Sequence, residues 1–396
     1  MLLRMNNISP IKQNISTKSR KQKVFVGMSG GVDSSVSAAL LKKAGYDVTG
    51  VFIKVWQPDW IECTWRDERR EAMRAAAHLG IPFVTLDLEK EYKQGVIDYM
   101  IAEYAVGRTP NPDVMCNREV KFGAFWRWAK EQGADFVATG HYCQVVKSQK
   151  SIKSSESQYR MLAGVDKNKD QSYFLWTLNQ DDLKHVLFPI GHLEKPEVRK
   201  LAQKFNLPNA DKKDSQGLCF IGKIDVKDFL AHYIEREPGS VLNEKREVIG
   251  THEGALLITI GERRGFTIDA KHKTPNDEPY YVVSKDVERN TVTVGNRRSD
   301  QADRKQEISI SNVNWTSGIA LKAGKHIQIR VRYRQPLVKA TVASVEKVDG
   351  SDLNSAIGAI IVPEKEIEAV TSGQSLVMYA LADKNGQECI GGGIIC

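Results

Sequence analysis

The sequence contains no CxxC pair, no GxxxxGK[ST] loop, no internal repeat and no apolar run near the roughly 20 residues that cross a bilayer. Each absence closes a class. Without CxxC there is neither a zinc ribbon nor a locally held iron–sulfur site. Without a long apolar run, no membrane partner is expected. No secretory signal precedes the six cysteines, Cys63, Cys116, Cys143, Cys219, Cys389 and Cys396, which fall at irregular intervals. That usage fits a reducing compartment, where each is a free thiol or takes part in chemistry. Residues 1–23 carry Arg4, Lys12, Lys18, Arg20, Lys21 and Lys23 but no acid. They read as a disordered basic leader, which makes the cytoplasm the expected location. The alternative is an organelle transit peptide, and hence a mitochondrial protein.

At 396 residues, with 41% hydrophobic and 27% charged positions, the chain is long enough for two or three cores. Its formal net charge of +8 suits a polyanionic partner.

The most informative stretch is VFVGMSGGVDSS, Val24 to Ser35. Val24 to Met28 reads as a strand buried on both faces, Ser29 to Gly31 as a turn, and Asp33 to Ala44 as a helix. A strand, a Gly-rich turn and a helix N-terminus make an anion cradle, because free amides and the helix dipole point outward. This one is neither a Walker A loop nor GxGxxG. It resembles the SGGxDS loop of enzymes that split ATP into AMP and pyrophosphate. Gly27, Met28, Ser29, Gly30, Gly31, Val32, Asp33 and Ser34 are therefore the expected nucleotide contacts, with Ser35 adding a hydroxyl. Asp33 cannot hold phosphate; it is a Mg²⁺ partner or a helix N-cap.

Along the chain, strands are expected at Val48–Ile53, Phe83–Leu88 and Asp135–Thr139. They alternate with helices at Arg66–Leu79, Tyr92–Tyr104 and Lys121–Lys130, the pattern of a parallel α/β sheet. Gly107 to Asn117 reads as a stiff Pro/Asn loop, Lys147 to Gln158 as an exposed loop, and Lys184 to Asn206 as mostly helical. Residues 24–215 form the expected nucleotide-binding domain and 216–305 a small mixed α+β domain with a helix at Val226–Ile234. Residues 306–396 form a C-terminal β-barrel. Ligands of open α/β sheets bind beyond the carboxyl ends of the strands, which places Gly140 and His141 beside the opening loop.

Two cysteines stand out. Cys116 lies just before the expected helix at Lys121, three residues after Asp113. A thiol at a helix N-terminus has a lowered pKa, and Lys121 would help. The polar loop around it argues against burial. Cys219 sits between glycines in KKDSQGLCFIG, with Phe220 and Ile221 to anchor the loop.

SGGVDSS, GRTPNPDVMCN, ATGHY, KDQSYFL, DSQGLCFIG, RYRQ and SGQS occur in this order from about Val24 to Ile395. Together they resemble the tRNA-specific 2-thiouridylases of the MnmA type. The resemblance implies ATP, with Mg²⁺, as cosubstrate and 2-thiolation of the wobble uridine, position 34, in tRNAs of the Lys, Glu and Gln type. It implies a persulfide on Cys219 loaded by a cysteine desulfurase or a sulfur-relay protein. Cys116 would be the partner thiol and Asp113 a general acid/base. Asn111, Pro112 and Asp113 would contact the target base, Ile53 the adenine and Gly140 the nucleotide. His141, Lys169, Asp170, Gln171, Arg332, Tyr333 and Gln374 would contact tRNA. By strand periodicity Arg330, Arg332 and Arg334 share one face as a basic stripe. The chain departs from the family in Ile53, usually Met, in Glu262, usually Gln, and in the missing glycines of 269–277.

Overall fold

A computed structural model describes residues 20–61, 65–148, 159–214, 225–272, 279–295, 307–347, 356–381 and 386–396. Cys63, Cys219 and most of 147–158 lie outside the described residues.

The N-terminal unit is built on five parallel strands: β1 (Lys23–Gly27), β2 (Asp47–Lys54), β3 (Phe83–Asp87), β4 (Phe136–Ala138) and β7 (Val186–Leu187), in the order β3-β2-β1-β4-β7. Val24, Phe25 and Val26 are buried, as an apolar run at the centre of a covered sheet requires. Helix α1 (Val32–Lys43) follows β1, and α2 (Trp65–Leu79) buries Ala72, Ala75 and Ala76, the small face that lets it lie close to the sheet. The chain runs from β1 outward to β2 and β3, then returns to place β4 on the other side of β1. The β1/β4 boundary is therefore a topological switch point, and the loops leaving those two strands are neighbours.

Three expectations are corrected here. Gly107 to Asn117 is not loop throughout: the chain is helical from Pro112 to Glu131, with π-helical turns over Cys116–Ala124. Asn111 is the N-cap, its side chain accepting from the Val114 amide at 3.3 Å, and Pro112 occupies the first turn. The residues that read as turn formers are helix-starting residues. Second, 184–206 is a helix end (Gln180–His185), the two-residue edge strand and a new helix, Lys195–Lys204. Third, the strand bearing Arg330 ends there (His326–Arg330). Arg332 lies in the following bend and Arg334 in a turn at φ 64°, so no three-arginine strand face forms.

Beyond these, β5 (Cys143–Lys147) and β6 (Tyr159–Ala163) leave the parallel sheet and pair onto the barrel. The small central sheet contains β8 (Gly239–Leu242), β9 (Val248–His252), β10 (Phe266–Ile268), β11 (Tyr281–Asp286) and β12 (Thr291–Gly295). Its helix covers only Val226–Leu230. Six strands, Ile308–Asn314, His326–Arg330, Val338–Lys347, Ala356–Pro363, Ser375–Tyr379 and Glu388–Ile395, close into an antiparallel barrel through the pairing of first and last.

The N-terminal unit and the barrel share a core. Val377, Tyr379 and Ile394 of the barrel belong to the same apolar cluster as Phe25 and Val51. Trp176 is the pivot. A Cβ on Gly392 would lie 2.7 Å from its ring, which explains a glycine in mid-strand, and its indole N–H donates to Ser375 Oγ at 3.0 Å.

Candidate active site

A cavity of about 420 Å³ opens at the β1/β4 switch point. The cradle forms one wall, with Gly27, Met28, Ser29, Gly31, Val32, Asp33 and Ser34 on its surface. Gly30 faces away: at φ 75° it sits where a Cβ would come within 2.5 Å of the Glu68 carbonyl. The Gly30 carbonyl instead accepts from Asn209 Nδ2 at 3.0 Å and Lys212 Nζ at 3.3 Å. Ser35 is fully buried and donates to the Gly31 carbonyl at 3.0 Å, so its hydroxyl shapes the turn rather than facing a ligand. Ser34 Oγ accepts from the Ser29 amide at 3.3 Å.

Gly140 packs against this loop. A Cβ there would lie 2.7 Å from the Ser34 amide nitrogen. Ile53 lines the cavity from the end of β2.

Asp33 is neither N-cap nor free for a cation. Gly31 is the N-cap. Both Asp33 oxygens take Lys195 Nζ, at 2.7 and 2.8 Å, and Oδ1 also accepts from the Tyr142 hydroxyl at 3.0 Å. Among the described residues no group of three or more metal-type ligands occurs. As arranged, Asp33 does not fit a directly bound Mg²⁺.

The facing wall comes from the helical turn 113–121, where Asp113, Asn117 and Lys121 line the cavity. Cys116 is fully buried, one turn into the helix, contrary to the exposure expected of its polar surroundings. Asn117 donates to the Phe174 carbonyl at 3.0 Å. His141 is buried and paired through Nδ1 with Thr139 Oγ1 at 2.7 Å. Burial, and then the Lys121 charge, push its pKa well below the ordinary value, so the imidazole in the cavity wall is neutral.

The residues expected to meet tRNA divide. Lys169, Gln171 and Tyr333 line the cavity. Lys169 pairs with Asp214 at 2.6 Å, and Gln171 Oε1 accepts from the Tyr142 amide at 3.0 Å. Tyr333 packs against Phe174 with ring centroids 4.5 Å apart and planes tilted at 48°, and the Arg334 guanidinium lies over its ring. Asp170 is buried and used internally. It accepts from the Gly164 and Ser172 amides at 3.0 and 3.1 Å and from Arg330 at 3.5 Å. Arg332 binds the Ile260 carbonyl at 2.5 Å and Thr371 Oγ1 at 3.0 Å. Gln374 donates to the carbonyls of Thr109 and Pro110. These three side chains work between domains.

Glu262 accepts from Lys227 Nζ at 3.1 Å and from the Thr259 amide at 2.9 Å. The carboxylate standing where the family usually has an amide thus has a charged partner within its own domain.

Glu68, Asn209, Lys195, Lys213 and Asp214 were not singled out from the sequence. The first three reach the loop or Asp33 from far along the chain, and Lys213 and Asp214 line the cavity. Only Lys213 and Asp214 carried a signal, their closeness to Cys219.

Three family models match in succession. The tRNA methyl transferase HUP domain covers residues 22–223, the tRNA methyl transferase PRC-barrel domain 227–296, and the aminomethyltransferase beta-barrel domain 305–395. The chain is 44% identical over 376 residues to a tRNA-specific 2-thiouridylase MnmA of Lacticaseibacillus paracasei, covering 94% of each chain. It is 43% identical to a tRNA-specific 2-thiouridylase MnmA 2 of Geobacillus kaustophilus, again over 94% of each. With a cradle, a facing helical turn and a closed barrel arranged as described, the chain belongs to the tRNA-specific 2-thiouridylases of the MnmA type.

Proposed function

We propose that this chain replaces the C2 oxygen of the wobble uridine of tRNA by sulfur, in tRNAs of the Lys, Glu and Gln type, at the expense of ATP. The observation that carries this reading is the single cavity shared by the cradle Gly27–Ser34 and by Asp113 and Asn117, one helical turn from Cys116. A nucleotide and a uridine have separate walls of the same enclosure there.

The uridine C2 oxygen is a poor leaving group. Its attack on the α-phosphate of ATP expels pyrophosphate and leaves AMP as the group to be displaced. Outward amides of the cradle and Lys213 hold the phosphates, and Asp113 manages the proton beside the base. The terminal sulfur of a Cys219 persulfide attacks C2 and AMP departs with the oxygen. Cys116 thiolate then attacks the Cys219 sulfur, cleaving the S–S bond. This leaves 2-thiouridine and a Cys116–Cys219 disulfide, which an external dithiol reduces. In the other order, Cys116 first frees sulfide from the persulfide and the sulfide attacks C2; the disulfide is the same. Cys219 stands five residues from Asp214 in the cavity wall, a span of at most about 17 Å of extended chain. The persulfide arrives from a cysteine desulfurase or sulfur-relay protein. Mg²⁺ enters as a companion of ATP.

The test is mass analysis of wobble uridine after incubation with tRNA, ATP and a persulfide donor. Cys116→Ser and Cys219→Ser should each abolish 2-thiouridine while ATP still binds. Full activity in either variant would overturn the sulfur-transfer reading. It would favour an amidotransferase-type or lysidine-forming use of the same loop, which needs no thiol pair.

A further inference from the structure

Lys195 joins two carboxylates that line the cavity. Its ammonium lies 2.7 and 2.8 Å from the two oxygens of Asp33 and 2.8 Å from Oδ1 of Asp214. The side chain is only 13% exposed. One turn further along the same helix, Arg199 Nη2 reaches Asp214 Oδ1 at 2.8 Å, while its Nη1 binds the carbonyls of Ala210 and Lys212. Lys169 holds the remaining Asp214 oxygen at 2.6 Å. The helix is rigid at its start: Glu194 and Glu197 form a reciprocal cap, and the Lys195 amide donates to Asp166 at 3.0 Å. Asp214 therefore carries three cations, far more than a surface acid needs, and one of them is shared with the nucleotide cradle.

We propose that Lys195 is a positioning residue that couples occupancy of the nucleotide cradle to the placement of Asp214, and so to where the chain sets out toward Cys219. The proposal rests on the sulfur-transfer reading above. A polyphosphate held by the cradle amides and Lys213 adds negative charge beside Asp33, whose own carboxylate is paired with Lys195. The same cation is bound to Asp214, so a change of charge at Asp33 is felt at Asp214. Such a coupling is reciprocal. Asp33 thus has a use that requires no metal on its carboxylate.

Single-turnover reactions with persulfide-loaded enzyme, ATP and tRNA separate the two steps, with pyrophosphate release and 2-thiouridine formation timed in one sample. Asp214→Asn, nearly isosteric, should slow 2-thiouridine formation at least tenfold and pyrophosphate release by no more than threefold. Lys195→Met should slow both, because it also unpairs Asp33, and Lys195→Arg should recover part of each. The double variant Lys195→Met/Asp214→Asn should form 2-thiouridine no more slowly than the worse single variant, since both remove one interaction. Equal slowing of both products in Asp214→Asn, or fully additive losses in the double variant, would overturn the coupling. If the wild type itself releases pyrophosphate without making 2-thiouridine, the sulfur-transfer reading fails instead.

Discussion

Gln374 of the barrel donates its side-chain amide to Thr109 and Pro110, two consecutive carbonyls of the N-terminal unit, at 2.9 and 3.1 Å. The Thr109 amide returns a bond to the Ser372 carbonyl at 2.9 Å. Gly373 sits between them at φ 89°, where a Cβ would lie 2.9 Å from the Thr109 backbone. This junction positions the chain just ahead of Asn111, the cap of the helix that carries Asp113 and Cys116.

Gln374→Ala should therefore lower the rate of thiolation about tenfold through the helix start, while tRNA affinity stays within twofold of wild type. Filter binding at fixed salt beside initial rates at saturating tRNA decides it; tRNA affinity reduced tenfold with the saturated rate unchanged would make Gln374 an RNA contact.

Asp170 and Arg330 form a buried pair, with side chains 7% and 15% exposed. Arg330 also lies over the Tyr379 ring. Removing one member leaves the other charge buried, at a cost of about 3–5 kcal/mol. Asp170→Ala should lower the urea midpoint markedly, and Arg330→Met/Asp170→Asn together should cost less than the sum of the singles. Unchanged stability with weakened tRNA binding would return Asp170 to the RNA surface.

The parallel sheet and the cradle were legible because they are local. An apolar run, a Gly30–Gly31 turn and a helix start within twelve residues state their own geometry. What was not legible is what reaches across the chain. Lys195 meets Asp33 over 162 positions and Asn209 meets Gly30 over 179, and neither carries a local mark. The Arg330–Arg334 stripe failed because strand periodicity was extended past the strand's end. The loop reading of Asn111–Pro112–Asp113 failed because the same residues that make turns also start helices.

Gly140→Ala isolates the cradle. The added methyl meets the Ser34 amide nitrogen at 2.7 Å and the Asp33 carbonyl carbon at 2.8 Å, both backbone, so the turn must shift. ATP affinity should fall at least tenfold by calorimetry, with tRNA affinity within twofold of wild type. Equal loss of both ligands would mean the substitution damages the fold rather than the cradle.

Lys285 supplies a pH signature. Burial pulls its ammonium down to about 8, with Glu262 opposing and Lys227 adding to the shift, and its Nζ donates to the Ile258 carbonyl at 2.7 Å. Between pH 8 and about 10.4 the unfolded chain binds more protons at this position than the folded one. Its contribution to stability therefore rises with pH through that window and is least favourable below it. The stability of wild type relative to Lys285→Gln should rise from pH 7.5 to 9.5 in urea titrations. A constant difference would place the residue's titration elsewhere.

Cys116 is fully buried, as are Cys143 and Cys389, whereas Cys396 is exposed. Alkylation requires an accessible thiolate, and burial holds the Cys143 and Cys389 thiols well above their ordinary value. Peptide-resolved iodoacetamide labelling of the free protein should therefore modify Cys396 at least tenfold faster than Cys116. Sulfur exchange demands that Cys116 emerge. It heads the π-helical turns Cys116–Ala124, whose wider hydrogen-bond spacing is the kind of irregularity that functional helices rearrange. Adding tRNA with a non-hydrolysable ATP analogue should accelerate labelling of Cys116 while Cys143 and Cys389 stay protected. Fast labelling of Cys116 in the free protein would contradict its burial, and no acceleration with both ligands would remove it from the sulfur path.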